Sequence, residues 1–423
     1  MMWISSTENE KWTIDNNFTD EKGCELVIGD ENGKGLFGFG CCISEICAKA
    51  IFSLSEDKQK QIFDDLFSTD GCGFDYCRLS IGANDFAESW YSYNETENDY
   101  EMKNFSIDRD RKYIIPAIKE AQKRSPEIEF FASPWSPPTW MKFPKVCNYG
   151  KLIQTPENLK AYALYFRKFI EEYAKENVKI VAVCPQNEFF STQKFPSCTY
   201  SAEELENFMC YLVDEVKDLA DVYFGTCNGP DPVSDDQLHN NFLNRIMQNK
   251  KLHQSIKGAA YQWAGKYSIM QAKEDFPHLD LIQSECQCGD GTNTWQHAMY
   301  TYHLIHHYFV NEARANVYWN MALDNDGLST WGWYQNSLIS IKDGEYTYNP
   351  EFYLLKHFGH FVKRGAVLLS TKGEMSSNTT IFKNMDGSVF AVILNPFEFE
   401  KIVTIDGKNY KLKSRSFNSI KLK

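Results

Sequence analysis

Nothing in the chain suits a membrane. Its most apolar runs, residues 178–184 and 389–394, fall far short of the ~18 residues a span needs. Positive charge is also scarce: 44 Lys+Arg against 57 Asp+Glu leave a formal charge of −13. Phosphates must be neutralised by basic side chains, so this balance argues against a nucleic-acid partner and against anionic lipid faces. No glycine-rich loop with phosphate-binding spacing follows the first strand candidate, and no Gly-x-Ser-x-Gly elbow is present. Zinc-type spacing is absent too. Cys41-Cys42 and Cys286-Gln-Cys288 do not fit it, and His303, His306 and His307 read as helix packing. Neither a metal nor an organic cofactor is expected. Residues 1–11 lack a basic stretch followed by an apolar one, and the 13 cysteines are scattered. They read as reduced thiols, and the expectation is a cytoplasmic protein.

What is present is an ordinary globular composition. Over 423 residues, 43% are hydrophobic and 24% charged, enough to bury a large core. Aromatics make up 15%, including 10 Trp and 23 Tyr. Flat rings beside carboxylates suit stacking on sugar faces.

Two patterns divide the chain. From Met375 onward, short β-rich runs (380–382, 389–394, 402–405, 410–412, 419–422) alternate with turns such as Asp386-Gly387 and Asp406-Gly407. Asp-Gly between apolar runs is a strong hairpin signal, because both positions tolerate positive φ. The first 35 residues look alike, with runs at 25–28 and 36–39 around a turn at 30–33. Both ends are read as an antiparallel sheet or half of a sandwich. Between them, strand candidates fall at 37–42, 74–80, 129–133, 179–185, 222–227, 258–263, 279–284 and 315–321. Several are almost wholly apolar, as parallel strands covered on both faces should be. Helical stretches separate them. Thr155-Pro156 supplies a cap and a first-turn proline, and Ser201-Ala-Glu-Glu204 a capping box. Eight strand–helix units predict an α/β fold, a (β/α)₈ TIM barrel with a β-sandwich side domain formed by both termini. The expected boundaries are 1–35 and 359–423 for the side domain and 36–358 for the barrel.

A barrel of this kind does its chemistry at the C-terminal ends of its strands. Glu188 closes the fourth candidate and Glu285 the seventh. Those strands lie across the pore from each other, so two carboxyls face one mouth, the arrangement glycoside hydrolysis uses. When such a pair is close, one attacks the anomeric carbon and the other serves as acid and then base. Arg78 sits inside an apolar strand and needs a buried anion, for which a catalytic carboxylate is a natural partner. Asp85 follows the second strand and can bond sugar hydroxyls. Trp135 lies in the proline-stiffened loop Ala132-Ser-Pro-Trp-Ser-Pro-Pro-Thr-Trp140 and suits a sugar platform. Trp263 and Trp319 end the sixth and eighth strands and can play the same part.

Phe37-Gly-Phe-Gly40, the loop around Trp135, Gln186-Asn-Glu188, Ser284-Glu285 and Trp319-Asn320 together resemble glycoside hydrolase family 30. That is the family of glucosylceramidases, β-1,6-glucanases and some β-xylosidases, and the motifs stand in family order. The resemblance implies Glu188 as acid/base and Glu285 as nucleophile. It implies sugar contacts from Asp85, Trp135, Asn187 and Trp319, with Arg78 supporting the nucleophile. One departure is informative. Glucosylceramidases have a His before the sixth-strand Trp and a Tyr after it; here Gln262 and Ala264 stand there. Gln262-Trp-Ala-Gly-Lys266 looks more like the β-1,6-glucanase branch. The expected activity is a retaining β-glycosidase acting on β-glucosidic linkages of the β-1,6-glucan or gluco-oligosaccharide type. A glucosylceramidase and a β-xylosidase are the alternatives within the same family.

Overall fold

In a computed structural model, which describes residues 2–229 and 241–423, eight strands close a parallel barrel. In chain order they are Gly38–Cys42, Tyr76–Ser80, Glu129–Ser133, Ile180–Val183, Asp221–Cys227, Ile256–Gln262, Asp280–Glu285 and Ala313–Asn320. Each pairs with its chain neighbours, and the eighth closes on the first through Ala315 opposite Gly38. Their edges differ from the sequence reading by no more than two residues, the usual fraying of such boundaries.

The barrel closes because its inward residues alternate in size. Tyr76, Phe131 and Tyr223 interdigitate with Ala182, Ala260 and Ala315 in one buried layer. Gly38 serves the same closure. Its φ is +147°, and a Cβ there would lie 1.7 Å from an Asp75 carboxylate oxygen. Outside the barrel the helices start where their caps predict. The Thr155 hydroxyl accepts the Asn158 N–H at 3.3 Å ahead of Pro156–Lys175. Ser201 and Glu204 form the reciprocal box ahead of Ala202–Val216.

The side domain is one nine-stranded ladder. Its order is Thr13–Ile14, Trp3–Ser6, Ser416–Lys421, Val389–Asn395, Thr379–Lys383, Val367–Gly373, Cys24–Asn32, Lys401–Ile405 and Lys408–Leu412. The ladder curls so that its far edges meet at Phe18 and Tyr410, around a core that includes Trp3, Leu26, Ile381 and Val403. Three details correct the sequence reading. The sheet is mixed, since Cys24–Asn32 runs parallel to Lys401–Ile405. Residues 30–32, read as a turn, extend that strand, and the chain turns only at Gly33, with φ +79°. Trp3–Ser6 and Val367–Gly373 are further strands that the turn signals did not mark. The Asp406-Gly407 hairpin has the expected chemistry, with φ of +48° and +73°.

Barrel and side sheet share a hydrophobic core, because Phe382, Val392, Leu394 and Phe417 pack into the same cluster as Phe309 and Phe358 of the barrel helices. His306 of Trp295–Val310 reaches this region, its Nδ1 3.1 Å from Thr380 Oγ1, while His307 Nε2 lies 2.7 Å from the Lys266 carbonyl of a neighbouring barrel helix. Among the described residues no cluster suited to a metal occurs, no disulfide forms, and no helix is long and apolar enough to cross a membrane.

Candidate active site

The mouth of the barrel is organised by one guanidinium. Arg78, in the second strand, is wholly buried. Its Nη1 donates to Glu285 Oε2 at 2.6 Å and to the Ser284 carbonyl at 3.3 Å. Its Nη2 reaches Asn187 Oδ1 at 2.6 Å, Ser133 Oγ at 2.8 Å and Thr226 Oγ1 at 3.2 Å. Five barrel strands or their ends thereby meet at one side chain. A buried cation is costly without an anion, and Glu285 meets that need. Trp135 and Trp319 stack on each other at 5.3 Å and lie over the guanidinium at 4.7 and 5.6 Å. Both are buried, so they support Arg78 and do not stand out as exposed platforms.

The two carboxyls reach the mouth differently. Glu285 is the last residue of its strand and only 6% exposed. Glu188 does not end its strand as read from sequence. Ile180–Val183 stops five residues earlier, and Glu188 sits in a loop with φ +50°. Its N–H donates to the Thr226 carbonyl at 3.2 Å, which holds a backbone shape a non-glycine residue rarely takes. The preceding Asn187 is fixed by its own N–H on the Pro134 carbonyl at 2.7 Å, and Gln186 Nε2 holds the Trp135 carbonyl at 2.7 Å. The strands after which Glu188 and Glu285 stand therefore meet through Arg78, Asn187 and Thr226.

Electrostatics separates the pair. Burial, then the charges of Glu285 and Asp85, push the Glu188 carboxyl up to about 8. Burial raises Glu285 as well, but Arg78 pulls it back. Arg78 bonds Glu285 and not Glu188, so Glu285 is the natural home of the negative charge and Glu188 of the proton. Asp85, raised by burial and by Glu285 to about 7, accepts from Gln335 Nε2 at 3.3 Å.

Gln262 ties these groups together, and it was visible in the sequence only as a departure from a family pattern. Its Nε2 donates to Asn187 Oδ1 at 2.8 Å and to Glu285 Oε2 at 3.0 Å. It ends the apolar sixth strand as Glu285 ends the seventh, so the same strand-end rule points to it. Thr226, at the end of the fifth strand, gave no such signal. Neither did Lys142, a buried ammonium that staples Ser136, Cys147 and Ser197 at 2.7–2.9 Å and so braces the loops around the mouth. Trp263 begins a short turn after the sixth strand and is half-buried.

Comparison with known proteins agrees with this geometry. The glycosyl hydrolase family 30 TIM-barrel domain matches residues 36–362, and the chain belongs to that family. It is a glycoside hydrolase of the retaining, β-specific kind. Lysosomal acid glucosylceramidase of Mus musculus is 28% identical over 388 residues, covering 85% of this chain and 74% of that protein. Endo-1,6-beta-D-glucanase BGN16.3 of Trichoderma harzianum is 23% identical over 392 residues, covering 86% and 78%. Among solved structures, the endo-beta1,6-glucanase BT3312 superposes with a TM-score of 0.88 at 24% identity, covering 99% of this chain and 98% of that one.

Proposed function

We propose that the protein hydrolyses β-glucosidic linkages in short β-1,6-linked gluco-oligosaccharides, with Glu285 as nucleophile and Glu188 as acid/base. The observation that carries the assignment of roles is the Arg78 bond to Glu285 alone. Both side-chain bonds to Glu285 fall on Oε2, and among the described residues Oε1 accepts none, which supports Oε1 as the attacking oxygen. As it bonds to the anomeric carbon, Glu188 transfers its proton to the departing glycosidic oxygen. Glu188, now a carboxylate, then takes a proton from water, and the hydroxide oxygen displaces Glu285 with net retention. Asn187 Oδ1 is occupied by Arg78, Thr226 and Gln262. Its amide nitrogen is thus the donor offered to the sugar 2-hydroxyl, a bond that strengthens in the oxocarbenium-like transition state. Asp85 supplies a further polar contact to the ring.

Gln262 supports the gluco-oligosaccharide reading, because its amide holds the nucleophile where glucosylceramidases are expected to carry a His. The 28% identity to glucosylceramidases supports glucosylceramide as the second reading. Hydrolysis of gentiobiose and short β-1,6-glucans, set beside a fluorescent glucosylceramide, separates the two. Faster turnover of the lipid would reverse the order. Aryl β-glucoside compared with aryl β-xyloside tests the sugar itself.

The proposed roles fix a pH profile. Glu188 must hold its proton, so kcat/KM is expected to fall as pH rises through about 8 in the free enzyme. Glu285 must be ionised, so activity is lost toward acid, below its own titration. An alkaline limb that survives Glu188→Gln on an activated glucoside would contradict the assignment.

A further inference from the structure

We infer that Trp331 and Trp333 form the platform for the departing group, and that this group is itself a pyranose ring. The inference rests on the glycosidase reading above and names the class of leaving group.

The segment 329–335 lies beyond the eighth strand and is fastened at both ends to Asp85. Thr330 Oγ1 donates to the Asp85 carbonyl at 3.4 Å, and Gln335 Nε2 to its carboxylate at 3.3 Å. Asn320, the last residue of the eighth strand, fixes Gln335 in turn through Oε1 at 2.9 Å. Within the segment, the Ser329 N–H donates to the Trp333 carbonyl at 2.8 Å, so the tip is a closed turn. From that turn Trp331 reaches across to the acid/base loop. Its ring lies 5.1 Å from Phe195, seven residues past Glu188, and 5.3 Å from Trp333. Phe195 is buried, and its loop is pinned through Ser197 by Lys142. A row of rings thus runs from the loop of Glu188 outward along the mouth.

The side of the row follows from the chemistry. Glu188 delivers its proton to the glycosidic oxygen, so whatever leaves on that oxygen departs past the Glu188 loop. A ring surface packed on that loop flanks the departing group. Its nature follows from the surroundings. Trp333 is 49% exposed and Tyr334 48%, an open shelf and no closed apolar channel of the kind a long acyl chain needs. Ser329, Thr330, Gln335 and Asp85 border it with hydrogen-bonding groups. The Trp331 indole N–H is itself buried, so Trp331 contributes ring surface beside the more exposed Trp333. An amphipathic ring with an apolar face and polar edges fits this shelf.

The test compares gentiobiose with β-glucosyl fluoride, whose leaving group has no ring. In Trp333→Ala and Trp331→Ala, the ratio of kcat/KM for gentiobiose to that for β-glucosyl fluoride should fall about tenfold, as loss of one aromatic stack implies. Trp333→Phe should recover part of it. The half-exposed Trp333 carries the test should Trp331→Ala fail to fold. A ratio within about twofold of wild type in Trp333→Ala overturns the platform, twofold being under 0.5 kcal/mol. A fall confined to fluorescent glucosylceramide overturns the sugar class of the leaving group. Wild-type protein inert toward β-glucosyl fluoride would overturn the glycosidase reading as well, which separates the two failures.

Discussion

Glu285→Ala is expected to lower turnover of β-glucosides by on the order of 10⁴-fold or more, as loss of an enzymatic nucleophile does. The structure adds a reason why azide should restore it. Removing the carboxylate leaves Arg78 buried with its strongest acceptor gone, and a small anion entering that cationic gap meets the guanidinium donors. Azide then attacks the anomeric carbon directly, and the product is the inverted α-glucosyl azide, identifiable by NMR. The variant should also be less stable, because breaking a buried pair costs about 3–5 kcal/mol. Glu285→Gln keeps an acceptor beside Arg78 and is the better-folded companion. It should lower the pKa of Glu188, since a repelling charge has gone. Near-normal turnover in either variant would end the assignment.

Glu188→Ala should behave differently. Glucosides with poor leaving groups lose proton donation and slow by about 10²–10⁴-fold. A dinitrophenyl glucoside needs no proton to depart, so its first step should hold while the glucosyl-enzyme accumulates, giving a burst followed by slow release. Azide captures that intermediate and gives β-glucosyl azide with retained configuration. Opposite azide products from the two variants would distinguish nucleophile from acid/base within one assay. Equal losses on both classes of leaving group would refute the role of Glu188.

Much of this was legible before any coordinates. The barrel strands stood out because both faces of each are covered, which writes a continuous apolar run into the sequence. Glu285 and Arg78 were legible for the same reason: a charge inside or at the end of such a run needs an explanation. Glu188 was found by the same rule but misplaced. Its strand is short, and the residues after it are apolar or amide side chains buried in the loop floor, which look like strand. The part Trp135 and Trp319 play beside Arg78 was not legible, because the sequence of a loop does not show that a ring suited to a sugar face also packs on a guanidinium. The part-buried Trp331 and the exposed Trp333 lie in a loop without periodicity, where only neighbours across the mouth give them meaning. Trp3–Ser6 escaped notice because its partner is Ser416–Lys421, and pairing between opposite ends of a chain leaves no local trace.

That pairing has a thermodynamic consequence. His357, on a helix adjoining the barrel, lies with its two ring nitrogens 2.7 Å from Ser419 Oγ and 2.9 Å from Ser6 Oγ, so both ends of the chain bear on one imidazole. With part of the hydrophobic interior common to both, the barrel and the side sheet are expected to melt together. Calorimetry should record a single endotherm whose van't Hoff and measured enthalpies agree. A span confined to 36–362 would lose the partners that cover Phe309 and Phe358, and should aggregate in place of folding as a smaller enzyme.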